Sequence, residues 1–334
     1  MSLEINKDYK KKWLITGVAG FIGSNLLEEL LLRDQTVFGI DNFSTGSQDN
    51  LDFVKNAVGK KRYSNFTFVQ GDICNYDVCI DLISNVDHVL HQAALGSVPR
   101  SIKDPLNSNK SNITGFLNML YASKQGGVES FVYAASSSTY GDHPDLPKKE
   151  EKIGNPLSPY AVTKLVNEIY ASVFSITYSF HSIGLRYFNV YGKYQSKNSS
   201  YAAVIPKWIN LLTNNETIRI FGDGNHSRDF THVDNVVSAN LLASLIKPES
   251  AEVYNIACGD RTSLIELQKI IQTHLATTLK GYTAIEPQFE RPREGDVTHS
   301  HADISKATKE LNYLPIVKIN EGLPMTIDWF IDNS

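Results

Sequence analysis

A short apolar run that passes through three spaced glycines into a helical pattern constrains the fold of this chain most strongly. Residues 13–16 form the apolar run, Gly17, Gly20 and Gly23 follow, and residues 24–33 carry apolar side chains at helical spacing. The pattern predicts a strand, a tight turn and a helix. Glycines let the main chain approach a pyrophosphate, and a helix N-terminus favours an anion. The first gap is one residue longer than in the standard dinucleotide fingerprint.

A second predicted strand ends on an acidic residue. Residues 36–40 are followed by Asp41, which lies 18 residues after Gly23. A carboxylate in this position accepts hydrogen bonds from both ribose hydroxyls of an adenosine and repels a 2′-phosphate. No arginine stands between Asp41 and Lys55. The segment therefore predicts NAD rather than NADP, with a simple turn residue at the strand end as the alternative.

Strand and helix signals alternate through the first 190 residues. Further strands are predicted at 66–70, 87–92, 130–135 and 182–187. This alternation predicts an α/β fold, a Rossmann-type doubly wound parallel sheet covered by helices on both faces. Ligands of such sheets bind beyond the carboxyl ends of the strands. Small or polar residues follow the strands at Asp41, Asp72, Ala93 and Ser136.

Beyond residue 190 the pattern loosens into shorter elements interrupted by glycine, asparagine and proline. We expect an NAD-binding domain over 1–188, to which residues 229–257 return. A smaller α/β C-terminal lobe that binds the substrate is expected to comprise 189–228 and 258–334.

A tyrosine and a lysine stand four residues apart in the segment 158–164. Ser158 predicts a helix N-cap and Pro159 the first helical residue. Tyr160 and Lys164 then share one helical face, so the ammonium can lower the pKa of the phenol from about 10. Such a pair can act as a general base near neutral pH. The same spacing also occurs in ordinary surface pairs.

Composition excludes several other classes of protein. The 334 residues carry a net charge of −4 without a long basic run, so no nucleic-acid partner is expected. No apolar stretch approaches about 18 residues, and the N-terminus lacks a signal peptide, so we expect no membrane partner. Three cysteines form no disulfide framework, which favours a cytoplasmic location. The nine histidines show no metal-ligand spacing, and no metal site is expected.

Ten motifs together resemble one family over nearly the whole chain. They are Gly17-x-x-Gly20-x-x-Gly23, Asp41, Asp72-Ile73, Ala93-Ala94, residues 136–141, Tyr160-x-x-x-Lys164, and residues 186–192, 221–224, 227–230 and 291–296. The chain resembles the extended short-chain dehydrogenase/reductases. Within them it is most similar to the UDP-hexose 4-epimerases, in particular bacterial UDP-N-acetylglucosamine 4-epimerases, which are linked to O-antigen and other surface polysaccharides.

The resemblance implies a role for each matching catalytic position. Ser136 would hydrogen-bond the sugar 4-oxygen and Ser137 would contact the sugar as a further catalytic residue. Tyr160 would be the base, and Lys164 would hold the nicotinamide ribose and tune Tyr160. The residues expected to bind NAD are Gly17, Gly20, Phe21, Ile22, Gly23, Asp41, Asn42, Asp72, Ile73, Ala93, Ala94, Tyr160, Lys164, Tyr187 and Val190.

A second set of positions is expected to bind the UDP-sugar. Arg228 and Arg293 would clamp the phosphates, since guanidinium suits bidentate contacts. Ala203, Val204 and Trp208 fall in the segment that packs around uracil in the family. The full set is Gly96, Ser97, Ser138, Asn189, Gln195, Ala203, Val204, Lys207, Trp208, Arg228, Arg293, Asp296 and Ser300.

The resemblance also implies a mechanism and an assembly. Enzymes of this kind oxidise the sugar at C4 with NAD, turn the 4-keto sugar within the pocket and return the hydride to its other face. The net redox change is zero, so NAD would stay tightly bound. A homodimer through helices near 105–124 and 158–180 is implied as well.

Pocket volume is expected to decide the substrate. Galactose-specific relatives often carry a large aromatic residue at the position of Ser300, and here it is small. Gly96 and Ala203 are also small, with Asn189 and Gln195 as polar partners. This room would suit a 2-acetamido group. The preferred direction of conversion between UDP-GlcNAc and UDP-GalNAc stays open, as does a preference for their uronic acids.

Other functions on the same scaffold remain as alternatives. Dehydratases carry an Asp-Glu pair just after the catalytic hydroxyl residue and UDP-glucuronate decarboxylases carry a Glu there, whereas this chain has Ser137 and Ser138. Asp41 disfavours an NADP-dependent reductase. A non-enzymatic NAD sensor would have no need of Ser136, Tyr160 and Lys164 together.

Overall fold

The computed structural model describes Ile5 and residues 8–196, 203–291 and 298–333. The strands are β1 Lys12–Thr16, β2 Thr36–Asp41, β3 Phe66–Gln70, β4 His88–His91, β5 Ser130–Ser136, β6 Ile183–Tyr187, β7 Val190–Tyr191, β8 Arg219–Phe221, β9 Ser227–Arg228, β10 Thr231–His232, β11 Glu252–Ile256, β12 Thr262–Ser263 and β13 Gln288–Glu290. The helices are α1 Phe21–Leu32, α2 Gln48–Tyr63, α3 Tyr76–Ile83, α4 Val98–Lys103, α5 Pro105–Asn109, α6 Gly115–Gly126, α7 Pro159–Tyr178, α8 Val204–Thr213, α9 Val233–Leu245, α10 Leu264–Thr278, α11 Ser305–Leu311 and α12 Ile319–Asp332.

A seven-stranded sheet with the order β11-β6-β5-β4-β1-β2-β3 forms the main layer. Every neighbouring pair in it is parallel, and Trp13 of β1 lies opposite Val37 of β2 and His88 of β4. The order of the strands reverses between β1 and β4, so the connections that leave these strands diverge and open a crevice beyond their carboxyl ends. The predicted Rossmann-type parallel sheet is confirmed.

Side chains alternate between two cores because successive residues of a strand point to opposite faces. Trp13 and Ile15 pack on the face that α1, α2 and α9 cover, whereas Leu14 packs against α3 and α6 on the other face. Both faces are buried, which explains why the central strands are near-continuous apolar runs. The carboxyl edge of the sheet is left for a ligand.

A third apolar core lies in the C-terminal half of the chain, where α8, α10 and α12 pack together. Trp208 of α8 and Leu267 of α10 belong to it. Ala307 and Tyr313, which the sequence division assigns to the lobe, pack instead in the core beside α1 and α9. β11 pairs with β6 in the main sheet. The division into domains at 188, 229 and 257 stays a prediction.

The helix expected after Pro105 is interrupted. α5 and α6 are separated by one turn of π-helix, Lys110–Thr114. Within it Asn112 accepts a hydrogen bond from the main-chain N–H of Leu95 (2.7 Å) and donates to Thr163 Oγ1 (3.1 Å). Tertiary hydrogen bonds of one buried amide thus override the regular helical pattern, and such turns often occur near functional sites.

Within the described residues of the chain, no helix combines the length and the apolar character that crossing a bilayer requires. Over the same residues, no three side chains of His, Cys, Asp or Glu lie together in a way that could hold a metal ion.

Candidate active site

A cavity of about 430 Å³ opens at the carboxyl ends of β1 to β6. Most of the residues expected to bind NAD or to act on the substrate line it. They are Gly17, Gly20, Phe21, Ile22, Gly23, Asp41, Asn42, Asp72, Ile73, Ala93, Ala94, Gly96, Ser136, Ser137, Tyr160, Lys164, Tyr187, Asn189 and Val190. Residues at or just beyond the carboxyl ends of six separate strands therefore share one wall.

The glycine turn is closed so tightly that side chains are excluded from it. Gly17 adopts φ +69°, and its carbonyl accepts the N–H of Gly20 (3.0 Å). A Cβ on Gly23 would lie 2.1 Å from the Gly17 oxygen, and a Cβ on Gly17 would lie 2.9 Å from Ala93. The main chain at the start of α1 is consequently exposed to the cavity, as an approaching phosphate requires.

Asp41 is fixed at the end of β2 by main-chain donors. Its carboxylate accepts the N–H of Ala19 (2.9 Å) and of Phe43 (2.8 Å). Burial raises the pKa of Asp41, and these hydrogen bonds lower it by a smaller amount. The carboxylate has acceptor capacity left on the cavity side, which suits vicinal hydroxyls.

Asp72 is held in a similar way after the neighbouring strand, β3. It accepts the N–H of Cys74 (2.8 Å) and the side-chain amide of Asn42 (3.1 Å). Asn42, Asp72 and Asp41 thus form a polar rim where β2 and β3 end.

The helix that carries Tyr160 and Lys164 begins as the sequence predicts. Ser158 caps it by accepting the N–H of Ala161 (3.1 Å), and Pro159 is its first residue. The Tyr160 N–H lies in the first turn, where it has no partner within the helix, and it donates to Ser101 Oγ (3.0 Å). The cap and this contact fix where α7 enters the site.

Burial governs the acid strength of both groups. Desolvation raises the pKa of Tyr160, and a hydrogen bond with Ser136 lowers it by less. The expectation that Lys164 lowers the pKa of Tyr160 below its usual value is therefore wrong. Burial lowers the pKa of Lys164 to about 8. The ammonium donates to the Ala134 carbonyl (2.7 Å) and lies 6.0 Å from the centre of the Tyr160 ring.

Ser136 ends β5 and lies within hydrogen-bonding reach of Tyr160. Its hydroxyl oxygen accepts the N–H (3.1 Å) and the hydroxyl (2.9 Å) of Ser138. With its acceptor sites occupied by Ser138, the Ser136 proton is available to Tyr160 or to a ligand oxygen. Ser138 therefore orients Ser136 and does not itself line the cavity.

Gln92 and Ser111 line the cavity although the sequence did not single them out. Gln92 belongs to a ring of hydrogen bonds: Tyr187 donates to Gln92 (3.1 Å), Gln92 to Asn240 (3.0 Å) and Asn240 to Tyr187 (2.9 Å). Because Gln92 directly follows β4, the expectation that ligands bind beyond the carboxyl ends of the strands could have identified it. Ser111 lies in the π-helical turn, and no local pattern marks it.

Nine described residues of the expected substrate set lie outside the wall of this cavity. They are Ser97, Ser138, Gln195, Ala203, Val204, Lys207, Trp208, Arg228 and Ser300. Trp208 is buried in the core of the C-terminal half, and Lys207 is exposed on α8. The Arg228 guanidinium donates to the carbonyls of Ser227 (3.0 Å) and Thr298 (3.1 Å). Arg293 and Asp296 fall outside the described residues.

Two residues near the substrate side adopt conformations that are rare for their type. Ser97 has φ +110° and caps α4 by accepting the N–H of Arg100 (3.3 Å), while Asn189 has φ +37° and donates to the Asp229 carbonyl (3.1 Å). Such conformations cost roughly 1–3 kcal/mol and concentrate at functional sites. Gln195 donates to the Val190 carbonyl (3.2 Å), and its side-chain oxygen is buried without a partner among the described residues.

Known proteins resemble this chain along nearly its whole length. The model of the NAD dependent epimerase/dehydratase family matches residues 13–257. The structure of a UDP-N-acetylglucosamine 4-epimerase from Methanobrevibacter ruminantium, in complex with UDP-N-acetylmuramic acid, superposes with a TM-score of 0.89 at 35% identity, covering 97% of this chain and 99% of that one. A UDP-glucuronic acid 4-epimerase from Bacillus cereus, in complex with UDP-glucuronic acid and NAD, gives 0.85 at 30% identity, covering 97% and 100%. A UDP-glucose 4-epimerase from Mycolicibacterium smegmatis is 33% identical over 323 residues, 96% of this chain and 99% of that protein.

The cavity fits NAD on its own geometry. The glycine turn bares main-chain N–H groups where side chains cannot stand, Asp41 offers a carboxylate for ribose hydroxyls, and Lys164 offers an ammonium deeper in the cavity. NAD is the cofactor of the family that matches, and these residues would hold it.

Asp41→Asn should weaken the binding of NAD and improve the binding of NADP relative to it. The amide loses the charge-assisted acceptors for the ribose hydroxyls, and it no longer repels a 2′-phosphate. A loss of about 1.5–3 kcal/mol in NAD affinity is expected. Calorimetric titration of the cofactor-free protein with both dinucleotides would measure it. Asp72→Asn is the matched control, since Asp72 lines the same cavity but follows β3, and it should leave the NAD/NADP ratio as in the wild type. An unchanged ratio in Asp41→Asn would contradict the role of Asp41.

Proposed function

The chain belongs to the NAD dependent epimerase/dehydratase family, and from this premise we propose that it is a UDP-sugar 4-epimerase, an isomerase that acts on UDP-N-acetylhexosamines for surface polysaccharide synthesis. The observation that carries the proposal is the convergence of Ser136, Tyr160 and Lys164 on the cavity that the glycine turn and Asp41 complete. Relatives named as 4-epimerases of three UDP-sugars support the reaction type.

The proposed chemistry uses three side chains. Tyr160 accepts the proton of the sugar 4-hydroxyl and later gives one back, while Ser136 donates a hydrogen bond to the 4-oxygen. NAD, when bound, supplies a reversible hydride acceptor. Because burial raises the pKa of Tyr160, the base depends on the Ser136 hydrogen bond and on a positive charge at Lys164, both of which favour the phenolate.

Incubation with UDP-GlcNAc, UDP-GalNAc, UDP-Glc and UDP-GlcNAcA without added cofactor, followed by NMR, tests the reaction. We expect inversion at C4 without external NAD, because the cofactor is regenerated in each cycle and stays bound. Tyr160→Phe should reduce turnover by roughly 10²–10⁴ through loss of the general base. Wild-type turnover in that variant would remove the mechanism, and a 4-keto-6-deoxy product or loss of CO₂ would replace epimerisation with another reaction.

We propose that the acetamido sugar is preferred because the residues expected around it are small. A Cβ on Gly96 would meet nothing within 4 Å. Ser300 is fixed through its main chain, whose N–H donates to the Ser227 carbonyl (3.0 Å), so a side chain there can change without loss of that contact.

Ser300→Tyr should suppress conversion of acetamido substrates and spare UDP-Glc, since overpacking a pocket costs roughly 1–3 kcal/mol. The measurement is the ratio of kcat/KM for UDP-GlcNAc over UDP-Glc, which should fall about tenfold or more. Ser305→Tyr, a change at the exposed N-terminus of α11, is the matched control. A ratio that stays constant in Ser300→Tyr refutes the assignment of Ser300.

We also propose a homodimer through α7 and its neighbours. Ile169, Val173 and Ile176 form an exposed apolar stripe along α7, and Leu106 of α5 is 82% exposed nearby. Residues at this spacing share one helical face, and an apolar stripe of this kind is typical of an interface between subunits.

Ile176→Glu should shift the protein towards the monomer, because a carboxylate would have to be buried in the interface. Sedimentation velocity of wild type and variant measures the change. Leu314→Glu alters an equally apolar side chain, 63% exposed, outside this stripe and should leave the assembly unchanged. A wild type that sediments as a monomer would exclude the dimer.

A further inference from the structure

A buried ion pair lies behind the proposed catalytic residues. The Arg186 guanidinium of β6 contacts the Glu168 carboxylate of α7 through two hydrogen bonds, Nε to Oε1 (2.9 Å) and Nη2 to Oε2 (2.7 Å). The two side chains are only 4% and 9% exposed. A bidentate pair of this kind has a fixed orientation, and burial leaves its charges weakly screened.

Arg186 also reaches the segment that carries Ser136. Its guanidinium lies 4.7 Å from the centre of the Tyr140 ring and donates through Nη1 to the Glu150 carbonyl (3.1 Å). Tyr140 is the last residue of the 3₁₀ turn Ser137–Tyr140 that directly follows Ser136. Arg186 therefore connects the helix of Tyr160 and Lys164 with the turn beside Ser136.

Glu168 stands one helical turn after Lys164, on the same face of α7 as Tyr160 and Lys164. Among the residues that the structure describes, no carboxylate forms a direct ion pair with Lys164, whose ammonium donates to the neutral Ala134 carbonyl. Glu168 raises the pKa of Lys164, against the larger lowering that burial causes. The nearest compensating charge for Lys164 is thus the carboxylate that Arg186 holds.

Other groups around Lys164 are neutral or weakly polar. They are Tyr160 on α7, the His91 ring on β4, and Ser136 and Tyr187, which line the same cavity as Lys164; Tyr133 on β5 faces the charged pair. Burial lowers the pKa of His91 to about 3, so its ring stays neutral in the working range of pH. Burial raises the pKa values of Tyr133 and Tyr187, so both phenols stay protonated.

We propose that Glu168 and Arg186 form a positioning pair for the active site, in which Glu168 supplies the buried negative charge that favours the Lys164 ammonium beside Tyr160, and Arg186 holds that carboxylate in place and limits its effect. The inference rests on the proposed role of Lys164. Neither Glu168 nor Arg186 lines the cavity, so the pair acts through Lys164 and through the Tyr140 turn.

The signs of the two charges predict opposite effects. Without the Glu168 charge, Lys164 loses the interaction that favours its charged form, and it should titrate at lower pH. Without the Arg186 charge, an unpaired Glu168 carboxylate favours the ammonium more strongly, and Lys164 should titrate at higher pH. A merely structural pair would produce no such ordered shift.

The test is an NMR pH titration of the full-length protein labelled at the lysine ε-carbons, with the Lys164 signal assigned through Lys164→Met. Glu168→Gln should lower the Lys164 pKa by roughly one unit and Arg186→Met should raise it by a similar amount. Arg186→Lys, which keeps the charge, should restore a value near that of the wild type. Glu252→Gln is the matched control. Glu252 lies on β11, the strand next to β6, and its carboxylate pairs with the Lys306 ammonium (2.8 Å). This variant should leave the Lys164 pKa unchanged.

The inference would be overturned if the Lys164 pKa in Glu168→Gln were the same as in the wild type. Arg186→Met leaves a buried carboxylate unpaired, and this variant can fail to fold. In that case the Lys164 pKa in Glu168→Gln, whose amide preserves the shape of the side chain, is compared with that in Glu252→Gln, and this comparison tests the inference. The titration needs no substrate. A protein that converts no UDP-sugar yet shows the Lys164 shifts would refute the proposed function and leave the positioning pair in place.

Discussion

The contact between Gly23 and the Gly17 carbonyl is the constraint on which the site depends. A methyl group at Gly23 would lie 2.1 Å from that oxygen, so α1 can start this close to β1 only because no side chain intervenes. The close approach turns the first N–H groups of the helix towards the crevice between β1 and β4. A surface made of main chain that suits a phosphate is the result, and the rest of the cavity lies around it.

A second constraint is the low polarity of the cavity's inner end. Tyr160 and Lys164 both carry a desolvation penalty that acts in opposite directions on their pKa values, since the ionised phenol and the ionised amine are each disfavoured. An opposite charge close to either group would act more strongly in this environment than in water. Burial thus makes the base depend on its neighbours, among them Ser136, whose hydrogen bond lowers the pKa of Tyr160.

Side chains distant in sequence also hold the segment that follows β6. Asp229 is fully buried and accepts the N–H groups of Cys258 (2.9 Å) and Gly259 (3.1 Å), which ties the β9–β10 connection to the end of β11. Burial raises its pKa to about 6. The main-chain carbonyl of Asp229 accepts a hydrogen bond from the Asn189 side-chain amide, and this contact holds the segment after β6 in place.

Much of this could be predicted from residues alone, because strand ends, glycine turns and helix caps are local. Gly17, Gly20, Gly23, Asp41 and the Ser158 cap lie where the sequence predicts them, since each depends on neighbours in the chain. The π-helical turn at Lys110–Thr114, the ring of Gln92, Tyr187 and Asn240, and the direction of the Tyr160 pKa shift were not foreseen. Each arises from contacts between segments far apart in the chain.

The sequence by itself therefore determined the parallel sheet, the glycine turn and the set of residues to which we propose the chemistry belongs. The tertiary structure alone decided how deeply those residues are buried and which charges face them. The physical reason is that periodicity and spacing report local geometry, whereas solvation and electrostatic interaction depend on what packs around a group from the rest of the chain.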